Sequence, residues 1–250
     1  IFWLDIINKK LFVNYIDGRV SEFTLPEMAS CIWKVEKPLV YIVSVSGICI
    51  FNLITKYWNV LAKMPSIKSR PMRANDGVEF NKGYCLFGTM ELEPTGENGA
   101  LYIYNGETIT ALYPGIGIPN SFIKVSESSF LITDSLKRKV YNFTLNKHFN
   151  AIEKKVVWLD LSDSEHTPDG GCCDDKGNIY LSMWDGSCVN KYDKNANLLS
   201  IFELPVKRPT NCKLSYNGKS IIVTTAREGL SEEELALSPE SGSLFQIGLK

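Results

Sequence analysis

Four short segments of one kind recur along the chain at intervals of about 45 residues: Asn75-Asp76-Gly77, Pro119-Asn120-Ser121, Pro168-Asp169-Gly170 and Pro209-Thr210-Asn211. Each opens a unit in which an apolar strand, a turn and two further strands follow. A period of this length with about four strands per unit is what a propeller blade requires. Two earlier units bring the count to about six. The expected fold is therefore all-β, a six-bladed β-propeller, with residues 1–250 forming a single domain.

Local patterns agree. Apolar and polar residues alternate in Lys10-Leu11-Phe12-Val13-Asn14-Tyr15 and Asn178-Ile179-Tyr180-Leu181-Ser182-Met183, runs rich in the aromatic and β-branched residues that suit a half-buried strand. Between such runs stand Asp17-Gly18, Asn81-Lys82-Gly83, Asn105-Gly106, Asp175-Lys176-Gly177 and Asn217-Gly218, which tolerate the positive φ of tight hairpins and predict antiparallel neighbours. Only Ser231-Glu232-Glu233-Glu234-Leu235-Ala236-Leu237 reads as a helix, a short exposed one with a serine N-cap and an acidic first turn.

Composition removes several function classes. With 27 Lys plus Arg against 28 Asp plus Glu, the net charge of −1 offers no field to attract nucleic acid or an anionic membrane surface. The longest apolar stretch, Leu39 to Phe51, is broken by Ser44, Ser46 and Gly47, short of the roughly 18 apolar residues that span a bilayer. Seven cysteines, odd in number and mostly within apolar strands, read as reduced buried thiols of a cytoplasmic protein. The chain starts within a strand, which suggests that upstream sequence is missing. The two histidines, His148 and His166, stand in no zinc-binding spacing, and nucleophile-elbow, phosphate-loop and dinucleotide motifs are absent.

Oxygen chemistry is left. In a propeller, segments at one blade phase converge on the mouth of the central channel, and carboxylates and amide carbonyls meeting on the axis suit a hard divalent cation such as calcium or magnesium. Asn120 and Asp169 are the leading candidate ligands. Asn and Asp before Gly also form ordinary turns with no ligand at all, and that reading stands beside the functional one.

The order of motifs along nearly the whole chain resembles the gluconolactonase and senescence marker protein (regucalcin) family, also called luciferin-regenerating-enzyme-like. It runs from Phe2-Trp3-Leu4-Asp5-Ile6 through Arg73-Ala74-Asn75-Asp76-Gly77, Gly88-Thr89-Met90 and Gly99-Ala100-Leu101-Tyr102 to Thr133-Asp134-Ser135, Pro168-Asp169-Gly170, Pro209-Thr210-Asn211 and Gly242-Ser243-Leu244-Phe245. The resemblance implies one divalent metal, calcium first with zinc, magnesium and manganese open, and hydrolysis of a small sugar-type lactone. It implies Asn120 and Asp169 as metal ligands, Asp169 as general base, and Arg73, Asn75 and Glu93 as substrate-binding residues, with Glu91 and Glu97 rivals to Glu93. The small-molecule lactone is the expected partner, with neither nucleic acid nor membrane.

This chain departs from the family pattern in three places. The family's remaining metal-ligating glutamate and its outer strand lie upstream of Ile1. Pro119-Asn120-Ser121 stands where the family has Ser-Asn-Gly, replacing a glycine whose backbone freedom shapes that segment. Leu214-Ser215-Tyr216-Asn217-Gly218 replaces a Phe-Gly-Gly near the last blade. The first two departures sustain an alternative, a non-catalytic propeller that binds calcium or a sugar acid.

Overall fold

The structure, a computed structural model, describes residues 1–65 and 70–249. Its strands fall in chain order into six antiparallel sheets, each a simple meander. The first comprises β1 (Phe2–Asp5), β2 (Lys10–Asn14) and β3 (Val20–Thr24); the second β4 (Ala29–Glu36), β5 (Leu39–Ser44), β6 (Gly47–Asn52) and β7 (Trp58–Lys63). The third comprises β8 (Met72–Asn81), β9 (Tyr84–Glu91), β10 (Gly99–Tyr104) and β11 (Ile109–Ile116). The fourth holds β12 (Pro119–Lys124), β13 (Ser129–Asp134), β14 (Lys139–Leu145) and β15 (Ile152–Asp160). The fifth holds β16 (Thr167–Cys173), β17 (Ile179–Trp184), β18 (Cys188–Tyr192) and β19 (Leu198–Glu203), and the sixth β20 (Pro209–Leu214), β21 (Ser220–Thr225) and β22 (Leu244–Gly248). Six sheets match the six units read from the repeat. The predicted hairpin turns join neighbours where expected, and Gly106, at φ 99°, shows the left-handed backbone that its turn demands.

Two compact units divide the chain, Ile1–Pro119 with His148–Ile152, and Asn120–Lys147 with Glu153–Lys250. In the first, Cys31, Trp33, Val43, Ile48, Phe87 and Tyr102 form a core between the second and third sheets, with Phe87 and Tyr102 stacked at 5.6 Å. Leu11, Leu25, Val40, Ile42 and Phe51 join the first sheet to the second. In the other unit, Ile123, Leu131, Leu181 and Met183 pack the fourth sheet on the fifth, and Cys172, Tyr180, Val189, Cys212, Ile221 and Val223 pack the fifth on the sixth. Burial of such side chains stabilises each by roughly 1.5–3 kcal/mol before entropy is counted. Edge strands face the other way: in β19 Leu198, Leu199 and Ile201 are exposed.

The expected helix is α1 (Glu232–Leu237), closed by a capping box between Ser231 and Glu234, and none of its residues is buried. Among the described residues no helix is long and apolar enough to cross a membrane. All seven cysteines are free, and all but the half-buried Cys173 are buried.

Candidate functional site

The recurrent Asn/Asp segments turn out to be strand, not loop. They lie within β8, four residues in, and at the starts of β12, β16 and β20, where a turn reading had placed them before the strand. The physical reason, in β8, β16 and β20, is a β-bulge near the start of the strand. Pairing of β8 with β9 skips from Ala74 to Gly77, leaving Asn75 and Asp76 outside the ladder; pairing of β16 with β17 skips from Pro168 to Gly171, leaving Asp169 and Gly170. Likewise β20 skips Thr210 and β4 skips Ser30. A bulge re-aims side chains and frees backbone groups for other partners, which is why such features recur beside functional sites.

In the first unit the bulge of β8 holds two of the expected substrate-binding residues together. The Arg73 Nη1 donates to the Ala74 carbonyl at 3.0 Å and to the Asn75 Oδ1 at 2.6 Å, and the Asn75 Nδ2 donates to the Pro119 carbonyl at 3.0 Å. Asp76 closes the bulge by accepting the Gly77 N–H at 2.8 Å. Glu93 stands elsewhere, exposed in the segment after β9. Of its rivals, Glu91 is the engaged carboxylate: it is buried, accepts from the Thr95 N–H at 2.9 Å and pairs with Arg70 at 2.7 Å. The Thr95 N–H and then the Arg70 guanidinium pull its carboxyl down to about 2.

In the second unit Asn120 and Asp169 are brought to adjacent strand starts. Asn120 is buried and its Nδ2 donates to the Ser135 Oγ at 2.9 Å; the Ser135 hydroxyl in turn donates to the Pro168 carbonyl at 2.7 Å. One residue on, the Ser121 hydroxyl donates to the Asp169 carbonyl. Ser121 keeps the left-handed backbone, at φ 56°, that the family's glycine would adopt freely. The two serine hydroxyls are the functional groups that sequence reasoning missed; Ser135 stood in the Thr133-Asp134-Ser135 motif, whereas Ser121 registered only as a lost glycine. Asp134 is buried at the end of β13, and His166 is exposed.

The donor set is all oxygen. Asn120 commits its amide nitrogen to Ser135, which leaves an oxygen as its other polar side-chain atom, and Asp169 carries a carboxylate. An amide oxygen and a carboxylate are donor types that suit a hard cation such as calcium, which takes six to eight oxygen ligands. Among the described residues no group of three His, Cys, Asp or Glu side chains is placed to hold a metal.

Comparison with known proteins places this geometry. The family model described as SMP-30/gluconolactonase/LRE-like region matches residues 1–227. Pentonolactonase XacC of Haloferax volcanii is 27% identical over 190 residues, covering 72% of this chain, which spans 64% of that relative's length. L-arabinolactonase of Azospirillum brasilense is 26% identical over 253 residues, with 98% of this chain and 83% of the relative covered. The crystal structure of regucalcin, a calcium-binding protein from Agrobacterium tumefaciens, superposes with a TM-score of 0.92 at 25% identity over 99% of this chain and 85% of its own. The fold is an all-β six-bladed β-propeller.

Proposed function

The chain belongs to the SMP-30/gluconolactonase/LRE-like family, and from that premise we propose that it hydrolyses a small sugar-type lactone with the help of one divalent cation. The observation that carries the reading is the pair of serine hydroxyls that ties Asn120 and Ser121 to the carbonyls of Pro168 and Asp169, bringing the backbones of the two candidate ligands to adjacent strand starts. The sugar lactonase relatives support this substrate class.

A divalent ion, calcium first with zinc, magnesium and manganese open, would be held by Asn120 and Asp169 and would supply positive charge to polarise the ester carbonyl and acidify water. The protein's own groups do the rest. Asp169 accepts the proton of the attacking water. Water oxygen bonds to the carbonyl carbon, the ring C–O bond breaks, and the ring oxygen takes the proton held by Asp169, leaving a hydroxy acid and the free carboxylate of Asp169. Arg73 and Asn75, pre-set by their mutual hydrogen bond, donate to lactone oxygens. The free thiols support a cytoplasmic setting for this chemistry.

Asp169→Asn tests the reading. Loss of a general base is expected to lower kcat by about a hundredfold or more while the chain still melts cooperatively; retained turnover across a lactone panel overturns the assignment. One observation favours a second reading, binding of calcium or a sugar acid without catalysis: the assembled pair contains a single carboxylate. Calcium binding by calorimetry with no turnover on any lactone selects it.

A further inference from the structure

The hydroxyl that links the two candidate ligands directly belongs to Ser121. Ser121 is fully buried, follows Asn120 directly, and holds a backbone conformation in which a Cβ crowds the following carbonyl. Glycine takes that conformation at no steric cost. Strain kept at a site has functional content when the strained side chain does what the unstrained residue could not. Here it does. The bulge of β16 removes Asp169 from the ladder with β17 and leaves its backbone groups to be satisfied elsewhere. The Ser121 hydroxyl satisfies the carbonyl. Meanwhile the relay from Asn120 through Ser135 satisfies the carbonyl of Pro168. Two consecutive residues of β12 are thus tied to two consecutive carbonyls of β16.

Resting on the lactonase reading, we propose that Ser121 is a positioning residue: its hydroxyl fixes the bulged backbone of Asp169 against Asn120 and so presets the carboxylate for metal binding and proton transfer. Ser121 touches neither substrate nor the reacting atoms. It acts through Asp169.

Ser121→Gly and Ser121→Ala separate this role from simple space filling. Both remove the hydroxyl, but only the glycine variant also relieves the left-handed backbone. Melting temperature, calcium affinity by calorimetry and the split between kcat and KM are measured for the parent and both variants. The expected result is a loss of about tenfold in kcat and in calcium affinity in both, the equivalent of one ordinary hydrogen bond, with KM within about twofold. The glycine variant melts at or above the parent. A glycine variant with the parent's kcat and calcium affinity overturns the proposal, because the serine would then serve packing alone. A parent that neither opens any lactone nor binds calcium overturns the functional reading and this inference together; an active parent with an equally active glycine variant overturns this inference only.

Discussion

Gly170 lies directly beneath the side chain of Asn211: a methyl group on Gly170 would stand 2.4 Å from the Asn211 Cγ and 2.7 Å from its Cβ. Asn211 cannot easily yield, since its Oδ1 accepts the Cys212 N–H at 2.8 Å and its own N–H donates to the Thr224 Oγ1 at 3.1 Å. The close approach therefore dictates glycine next to Asp169. Gly170→Ala is expected to destabilise the chain by about 2 kcal/mol through overpacking, measured by urea unfolding. Combining it with Asn211→Gly should recover part of that loss; a double variant that is simply additive would show that the two residues do not collide.

Glu91 and Arg70 give a pH signature. The Glu91 carboxyl is pulled from 4.5 to about 2 by the Thr95 N–H and by Arg70. A folded-state value below the unfolded one means that the contribution is fully present above about pH 4.5 and is lost as pH falls towards about 2. The melting temperature of the parent should drop across that window more steeply than that of Glu91→Gln. Parallel curves would show that the carboxylate is not held as described.

Arg73→Lys keeps the charge and removes the planar fork that reaches both the Ala74 carbonyl and the Asn75 Oδ1. With Asn75 less firmly held, KM for the best lactone should rise by about five- to tenfold, the equivalent of roughly 1 kcal/mol of lost hydrogen bonding. Steady-state kinetics decide, and an unchanged KM would remove Arg73 from the substrate contacts.

The thiols should be inert. Burial pushes Cys85 far above its ordinary value, and the Cys212 sulfur 3.9 Å away, together with burial, pushes Cys172 up as well. Under native conditions iodoacetamide is expected to label Cys173 first, the one half-buried thiol, and the other six only after denaturation. Mass spectrometry of the alkylated peptides reads the order.

Much of the fold was legible because its signals are local. The 45-residue recurrence counts the sheets, Asn105-Gly106 and its counterparts mark the hairpins, and Ser231 followed by Glu234 marks the only α-helix among the described residues. The candidate ligands Asn120 and Asp169 were legible too, since each opens a repeat unit. What could not be read is whatever depends on two segments meeting. No pattern tells that the Ser121 hydroxyl finds a carbonyl 48 residues away, or that Asn211 sits over Gly170. Nor does the acidic run Glu91-Leu92-Glu93 announce that Arg70 and Thr95 engage its first carboxylate while Glu93 stays exposed. The bulges escaped for a related reason: Asn-Asp-Gly spells a turn locally, and only the register against a neighbouring strand reveals an extra residue in the ladder.

Each sheet is a meander whose strands pair with their immediate successors in the chain. Hydrogen-bonding partners are therefore separated by a short hairpin instead of by a long crossover, and closing such small loops is entropically cheap and fast. During synthesis, a ribosome that has released the last strand of one of the four-stranded sheets has already released the other three strands of that sheet, so these sheets can mature one at a time while the remainder is still being made.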